Sequence, residues 1–321
     1  MTMPVSASAH ERREPGAESV LGAALVSAAL FGMRELVPFL FPLAIVSPFP
    51  VLVLRLRGGL GSALAAGSAS AALLAAAFSP GAGLVFLLFL AVPALLMVDV
   101  MARGRGLLRG CGLAFAVIAL QLGAALVFAN ERMSAELVDP FDYYTSPKFM
   151  DEVRGAGVPA EQVEAWAEQV GVVSRAMAVV YPAVYLIMGA LVVLANSTML
   201  RLYLARRDPA WLEGNEFERL RWPFAIALAF VASGLAVLAP ALRPAAYNVL
   251  LLLAFFFALQ GLAVVAFYTR RLAAPPLLRW AVMVLVLVNP WAPQILALLG
   301  LFDIWFDFRK WAEPPPPAAQ A

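Results

Sequence analysis

Charged residues inside apolar segments are the first candidates for chemistry, because a charge in hydrocarbon must be paired or hydrated. Arg34 and Glu35 are adjacent near the end of the first apolar segment. Adjacent residues project about 100° apart on a helix, so the two side chains cannot both face lipid without being desolvated. They are a candidate binding pair for an anion or a zwitterion. The alternative is a position at the level of the lipid headgroups.

Two tyrosines later in the chain could belong to the same site. Tyr181 and Tyr185 are four residues apart, a spacing that places both on one face of a helix. They could line the wall of a solute site to which Arg34 and Glu35 supply charge. Packing in the helix core or at the membrane interface is the alternative.

Acidic residues give two further candidates. Asp303 and Asp307 are four residues apart and share a helix face. They could coordinate a cation, or they could form an interfacial cap that is ion-paired to Arg309 and Lys310 or to an internal arginine. Asp99 lies four residues before Arg103. This spacing indicates an ion pair at the interface rather than half of a catalytic aspartate pair.

The remaining composition argues against an enzyme. His10 is the only histidine and lies in a polar N-terminal tail, so Ser–His dyads and HExxH zinc sites are excluded. Cys111 is the only cysteine, which excludes an intramolecular disulfide and CxxC motifs. We therefore expect no catalytic residue, no metal site and no cofactor.

Hydrophobic residues make up 63% of the chain and charged residues only 14%, whereas soluble domains carry about 25% charged residues. Several apolar runs approach the roughly 20 residues that a membrane-spanning helix needs. The sequence therefore predicts an all-α, polytopic transmembrane bundle with eight or nine membrane segments. The predicted segments are 18–41, 50–57, 60–78, 83–101, 107–129, 159–207, 222–242, 246–268 and 277–302. The short segment 50–57 is expected to end at Gly58 and Gly59, and a helix is expected to begin at Ser146 and Pro147, because proline suits the first helical turn.

Small and polar residues indicate how these segments contact one another. Gly59, Ala63, Gly67 and Ala71 recur every four residues and predict a close helix–helix face. A larger residue at Gly67 is expected to meet a neighbouring backbone. Five amides inside the segments are expected to form interhelical hydrogen bonds rather than ligand contacts; they are Gln121, Asn196, Gln260, Asn289 and Gln294.

The distribution of basic residues predicts the topology, because cytoplasmic loops are enriched in Lys and Arg. The segment 130–171 holds nine acidic and three basic residues and is predicted to be external. The N-terminus is then cytoplasmic, on the side that holds most of the arginines. If 277–302 is a single span, parity places the C-terminus outside. If Asn289, Pro290 and Pro293 break it into a re-entrant pair, the C-terminus returns to the cytoplasm.

Four stretches match one family. They are 181–184 (YPAV), 217–223 (FERLRWP), 259–264 (LQGLAV) and 300–310 (GLFDIWFDFRK). They resemble the domain-of-unknown-function 2232 family of multi-pass bacterial membrane proteins. The resemblance implies a location in the bacterial cytoplasmic (inner) membrane. It marks as motif residues Pro182, Gln260, Gly261, Asp303, Trp305, Asp307 and Arg309.

That family is distantly similar to the S components of energy-coupling-factor vitamin transporters. S components have six helices, both ends in the cytoplasm and a ligand beneath external loops. The resemblance implies a six-helix core over 18–207 and a solute site under 130–171. It also implies an AxxxA docking motif for a coupling subunit at Ala24 and Ala28. The last three segments have no counterpart in a six-helix S component.

The predicted organisation has four parts. Residues 1–17 form a disordered cytoplasmic tail, 18–207 the S-component-like core, 208–311 additional membrane helices, and 312–321 a Pro-rich disordered tail. Two functions remain open: binding or transport of an unknown small solute, and a non-transporting scaffold that docks other envelope proteins. The expected partners are the lipid bilayer and a coupling or envelope membrane protein. Nucleic acid is not expected, because no basic, aromatic soluble domain is present.

Overall fold

The computed structural model describes residues 16–37, 40–128, 130–207, 217–272 and 291–312, with positions 275, 277, 281, 285 and 289. These residues form helices and turns, and no strand occurs among them, so the all-α prediction is confirmed. Most of the two predicted tails, His10 included, lies outside the described residues. The α-helices are α1 (Ala17–Leu36), α2 (Phe41–Val46), α3 (Phe49–Gly58), α4 (Leu60–Ala77), α5 (Pro80–Val85), α6 (Val92–Ala102), α7 (Leu107–Phe128), α8 (Asn130–Tyr144), α9 (Pro147–Gly155), α10 (Ala160–Ala205), α11 (Phe224–Ala236), α12 (Arg243–Arg271) and α13 (Ala292–Phe306).

Seven helical stretches are long and apolar enough to cross a membrane, which confirms a multi-pass helical bundle. They are Ala17–Leu36, Phe41–Gly58, Leu60–Ala77, Pro80–Ala102, Leu107–Phe128, Ala160–Ala205 and Pro240–Arg271. Two apolar helices, α11 and α13, are shorter. The predicted count of eight or nine segments depends on whether these two short helices also cross.

Proline, glycine and serine set many of the helix boundaries. Gly59 ends α3 with a φ of 90°, in the left-handed region that favours glycine. Ser146 begins α9 because its hydroxyl accepts the N–H of Phe149 at 3.3 Å, and Pro147 occupies the first helical position. The prediction of a helix start at Ser146 and Pro147 is therefore confirmed.

The structure differs from the sequence expectation in three places. The predicted segment 18–41 is divided, because α1 ends at Leu36 and α2 begins at Phe41. The polar segment 130–171 is mostly helical and forms α8, α9 and the start of α10. A π-helical stretch, Phe86–Ala91, precedes Pro93 within the fourth span. A π-helical turn is an irregularity of the helix ladder, and none was expected here.

Contacts divide the chain into two compact units. The first unit contains Met1–Ala124 and Met188–Asn215, and the second contains Ala125–Ile187 and Glu216–Ala321. The long helix α10 contributes residues to both units. These units do not follow the predicted boundary at residue 207, and the S-component-like organisation of 18–207 stays a prediction.

In the first unit, α1 packs against α4. Ala24 is fully buried, and its carbonyl oxygen accepts the Ser70 hydroxyl at 3.2 Å. Ala28 packs against a core that contains Phe31 and Leu74. Ala24 therefore faces α4 of the same unit, and the docking of a coupling subunit at Ala24 and Ala28 stays a prediction.

The predicted backbone contact at Gly67 is wrong. Gly67 is buried in α4, but a Cβ added there would meet only the Cγ1 atom of Val51, at 3.8 Å. The close backbone approaches of this unit are at other glycines. A Cβ at Gly83 would collide with the carbonyl oxygen of Ala71, and a Cβ at Gly110 with that of Met97.

In the second unit, α12 and α13 cross at a pair of glycines. A Cβ at Gly261 would collide with the carbonyl oxygen of Leu296, and a Cβ at Gly300 with that of Phe257. This reciprocal contact brings the two backbones together, as small residues do in membrane helix pairs. Phe257 also packs edge-on against Phe230 of α11, with ring centroids 5.5 Å apart.

Within the second unit, the final residues of the C-terminal motif lie near the C-terminal end of α12, which carries Arg270. The Tyr268 hydroxyl, near the end of α12, donates to the carbonyl oxygen of Phe308 at 2.5 Å. A break precedes α13, where the Asn289 side chain accepts the N–H of Trp291 at 2.9 Å. Asn289 and Trp291 are not helical, so the helix is interrupted there as the second alternative expects. The number of membrane crossings over 277–302 stays a prediction.

We expect Gly300→Ala to lower the melting temperature of the purified protein. The added methyl group collides with backbone at the α12–α13 crossing, and overpacking of this kind costs about 1–3 kcal/mol. Gly234→Ala in α11 is the matched control, because a Cβ there has no atom within 4 Å. Equal melting temperatures for the two variants would contradict the crossing.

Candidate functional site

A buried carboxylate lies at the centre of the second unit. Asp303 is 1% exposed, and its Oδ2 atom accepts hydrogen bonds from Gln260 Nε2 at 2.9 Å and Arg309 Nη2 at 3.2 Å. Its Oδ1 atom accepts the N–H of Phe308 at 3.1 Å. A buried ion pair is stable only when its remaining polar atoms are also satisfied. Asp303 meets this condition with three donors.

The same network reaches the segment before α11. The N–H of Trp222 donates to Gln260 Oε1 at 2.9 Å, and the Trp222 indole N–H donates to the carbonyl oxygen of Phe256 at 2.8 Å. Arg309 also donates to the carbonyl oxygen of Leu220 at 2.9 Å. We call this network the Asp303 junction; it comprises Leu220, Trp222, Gln260, Asp303, Phe308 and Arg309. Three of the four motif stretches meet in it.

Asp307 has a different role from Asp303. It takes the left-handed conformation, with φ 48° and ψ 63°, and its N–H donates to the carbonyl oxygen of Asp303 at 3.0 Å. This ends α13 and turns Phe308 and Arg309 back toward Asp303. The Asp307 carboxylate is ion-paired with Arg221 and with Lys310.

The two aspartates therefore face separate basic partners, an arrangement that favours the ion-paired cap over the cation-coordinating pair. Trp305, between them in the chain, is 51% exposed and packs edge-on against Phe224 at 6.1 Å between ring centroids.

Burial lowers the pKa of the Arg309 guanidinium, and the nearby Asp303 carboxylate opposes this shift. Arg309 stays charged, because the pKa of arginine starts above about 12.

The side-chain amide of Asn248, which the sequence analysis did not single out, bridges the backbone on either side of Pro182. The Asn248 side chain in α12 accepts the N–H of Ala183 at 2.8 Å and donates to the carbonyl oxygen of Val179 at 2.8 Å. An undisturbed helix joins these two backbone groups directly, since each N–H bonds to the carbonyl four residues earlier. Pro182 lies between them and disturbs the ladder. Asn248 therefore satisfies both groups at the disturbed turn.

The predicted ligand residues fall in different units. Arg34 and Glu35 belong to the first unit, form an ion pair with each other at 2.9 Å and are partly exposed. The Arg34 guanidinium also lies 4.0 Å from the centre of the Phe31 ring. Tyr181, which is 7% exposed, and Tyr185 belong to the second unit. None of the four lines the cavity of about 320 Å³ in the first unit or the cavity of about 330 Å³ in the second.

Asp99 pairs with two arginines in the first unit. Its carboxylate lies 2.6 Å from Arg55 Nη2 and 2.5 Å from Arg103 Nη2. The pair with Arg103 agrees with the spacing of four residues, but Arg55 comes from α3 and was not expected. Asp99 thereby links the end of α6 to the end of α3.

An exposed group of aromatic residues was also missed. Tyr143, Tyr144, Phe149 and Trp166 contact one another, with ring centroids 5.3–6.2 Å apart. They lie on α8, α9 and the first part of α10, and we call them the aromatic cap. Phe149 and Trp166 of the cap also line a cavity of about 330 Å³, together with residues that include Val163. The sequence analysis did not single out these residues, and it did not predict α8, which carries Tyr143 and Tyr144.

Hydrogen bonds and ion pairs connect the helices that carry the cap. The Ser174 hydroxyl on α10 donates to the Asp142 carboxylate on α8 at 3.1 Å. Arg154 on α9 forms ion pairs with Asp151 at 3.1 Å and with Glu164 on α10 at 3.6 Å. These contacts hold the aromatic side chains in a fixed arrangement.

We expect Asp303→Asn to destabilise the protein by about 3–5 kcal/mol, because it leaves the Arg309 charge buried without a counter-charge. Unfolding of the full chain in denaturant measures the loss. Asp151→Asn is the control, since it removes a carboxylate from an exposed ion pair. Asp303→Leu combined with Arg309→Met should recover most of the loss. A single variant as stable as the original protein would contradict the assigned role of Asp303.

Comparison with known proteins adds one finding to this geometry. No curated protein and no solved structure matches the chain significantly, so the similarity to S components stays a prediction. A family model described as "Predicted membrane protein (DUF2232)" matches residues 25–304. That range covers most of the chain and includes Asp303, Gln260 and Pro182. The chain therefore belongs to this family of multi-pass membrane proteins.

Proposed function

We propose that the protein is a non-transporting membrane scaffold that docks an envelope protein through its aromatic cap. The observation that carries the proposal is an exposed aromatic surface that shares Phe149 and Trp166 with the lining of a cavity. Tyr143 is 55% exposed, Tyr144 44% and Trp166 37%. Exposed, clustered aromatic residues are typical of docking sites, because rings bury a large apolar area with few rotatable bonds.

The cavity supports a specific kind of contact. About 330 Å³ is enough for one large apolar side chain of a partner, and the lining is mostly apolar, with Phe149, Val153, Val158, Val163 and Trp166. Gln162 supplies the polar part of the lining. A partner residue that enters this cavity would contact Phe149 and Trp166 of the cap, and burial of this kind is how anchor residues gain most of their binding energy.

The charge of the segment favours a basic partner. The segment 130–171 has nine acidic and three basic residues, a net charge of −6. Opposite charge steers association and selects between partners. The proposed partner segment is therefore rich in Lys or Arg and presents one large apolar side chain.

The alternative function, binding or transport of a small solute, has weaker support. Arg34 and Glu35 neutralise each other, which leaves little net charge for a ligand. The charges of Asp99 and Asp303 are likewise balanced by arginines of the chain. The proposal accordingly assigns no catalytic or solute-carrying role to any of these residues.

We also propose the orientation in the bacterial inner membrane, with the N-terminus and the C-terminal motif in the cytoplasm and the aromatic cap outside. The support is the positive-inside rule together with the contacts of the C-terminal motif. Arg270 and Arg271 end α12, and the motif that contains Arg309 and Lys310 lies at the same end of the unit.

Labelling with an impermeant thiol reagent checks the orientation. In a Cys111→Ala background, we expect Glu161→Cys to be labelled in intact cells. Arg271→Cys and Lys310→Cys should be labelled only after the membrane is permeabilised, because both lie at the cytoplasmic end. If position 310 is labelled from outside while position 271 is not, the contact of the C-terminal motif with the end of α12 is contradicted.

Site-specific photocrosslinking in cells checks the docking surface. A photoreactive residue at Tyr143 should give one discrete adduct with a partner protein. The yield should fall at least tenfold when Trp166→Ala is added, because loss of a central aromatic anchor costs about 2 kcal/mol or more. Tyr247 on α12, which is 43% exposed, is the control position and should give no such adduct.

Two outcomes would overturn the proposed function. Adducts only with lipid at Tyr143 would show that the cap lies on the membrane surface. A solute that copurifies in stoichiometric amount, and is lost in Arg34→Ala, would favour a solute-binding protein instead.

A further inference from the structure

An apolar groove in the first unit ends at a basic side chain. The groove lies between α1 and α3 and has a volume of about 320 Å³. Its lining is mostly apolar and comprises Ser19, Ala23, Phe49, Pro50, Val53, Leu54 and Arg57. Its walls belong to two helices that are long and apolar enough to span a membrane. An apolar chain could therefore enter the groove from the lipid phase, with Arg57 at the end of its path.

Arg57 belongs to a small basic cluster around one tyrosine. Its Nε atom donates to the Tyr203 hydroxyl at 2.9 Å. The Arg207 guanidinium lies 5.0 Å from the centre of the same ring, and the Arg57 guanidinium 5.8 Å. Phe49 of the groove packs edge-on against Tyr203 at 6.3 Å between centroids, so the cluster and the groove are continuous.

The charges of this cluster are not balanced within the described chain. Arg55, two residues before Arg57, is paired with Asp99, and so is Arg103. Neither Arg57 nor Arg207 forms an ion pair with any acidic residue that the structure describes. Both are exposed, so both guanidinium groups are accessible to an anion.

We propose that this groove is a binding site for an anionic phospholipid. The phosphate is held between Arg57 and Arg207, and an acyl chain lies in the groove along α1 and α3. The Tyr203 hydroxyl accepts from Arg57 and can donate its own hydrogen to a phosphate oxygen. Arginine suits this task, because its planar guanidinium matches the geometry of a phosphate.

The chemistry favours an anionic lipid over other ligands. A free phosphate ion would use the arginines but would leave the apolar groove unexplained. A zwitterionic lipid would bring an ammonium group close to two unpaired guanidinium groups. An anionic lipid satisfies both features, and anionic lipids are attracted to basic residues near the membrane surface.

The test uses the purified full-length protein in detergent. Short-chain phosphatidylglycerol, phosphatidylcholine of the same chain length and inorganic phosphate are titrated separately. Bound lipid is counted by native mass spectrometry, and the melting temperature is followed in parallel. We expect one phosphatidylglycerol to bind with saturation and to raise the melting temperature, with a much smaller effect of phosphatidylcholine and none of phosphate.

Variants separate the headgroup from the acyl chain. Arg57→Gln and Arg207→Gln should each weaken phosphatidylglycerol binding about fivefold, since one basic residue near a membrane contributes about that factor. Ala23→Leu should also weaken it, because the larger side chain fills the groove. Arg105→Gln is the matched control, an exposed arginine of the same unit that does not line the groove.

The lipid-free melting temperature of each variant shows that it is folded. Equal binding of the two lipids would overturn the proposal. So would unchanged phosphatidylglycerol binding in both arginine variants, or full competition by inorganic phosphate, which would show that a simple anion is recognised.

Discussion

The second unit depends on the need to balance one buried carboxylate. Asp303 is almost completely inaccessible, so its charge and its lone pairs must be satisfied by the protein itself. Gln260 can reach it only if α12 and α13 lie close together, and Gly261 and Gly300 make that approach possible. Arg309 can reach it only because Asp307 takes a left-handed conformation. The glycine crossing, the helix end and the ion pair therefore form one cooperative structure.

Two other polar groups of the described helices are satisfied in the same way. Asn248 satisfies the two backbone groups on either side of Pro182. Asp99 is held by Arg55 and Arg103. In a membrane, a group left unsatisfied costs several kcal/mol, so each disturbance of a helix needs a partner nearby. Most of the polar chemistry inside the two units is therefore structural.

Sequence reasoning predicted those features whose cause is local. Gly59 ends a helix because it takes a positive φ, and Ser146 with Pro147 begins one because a cap and a fixed φ favour the first turn. The break at Asn289 was one of two open alternatives. Composition alone predicted the class of fold, because the chain has 14% charged residues where soluble domains have about 25%.

Features that depend on long-range contact could not be predicted. Small residues are frequent in this chain, so a spacing of four residues arises by chance and predicted a close backbone contact at Gly67. Close backbone contacts occur instead at glycines such as Gly261 and Gly300. The role of Asn248 could not be predicted, because its partners, the backbone groups of Val179 and Ala183 around Pro182, lie on another helix. Helix α8 in the polar segment 130–171 was not predicted, because acidic residues are interspersed among its few apolar residues. Arg34 and Glu35 looked like a ligand pair because sequence spacing cannot show that two neighbours neutralise each other.

If the internal polar groups are structural, ligands are expected to bind at surfaces whose charges or apolar side chains have no partner within the described chain. The aromatic cap belongs to the second unit and lies in a segment of net charge −6, so it repels anionic lipid and favours a basic protein. The groove at Arg57 belongs to the first unit, has two arginines without acidic partners among the described residues, and favours an anionic lipid. Ligands of opposite charge are therefore expected at the two surfaces, and one ligand class cannot compete for both. A scaffold that binds lipid at one surface and a protein at another needs no solute pathway through its helices.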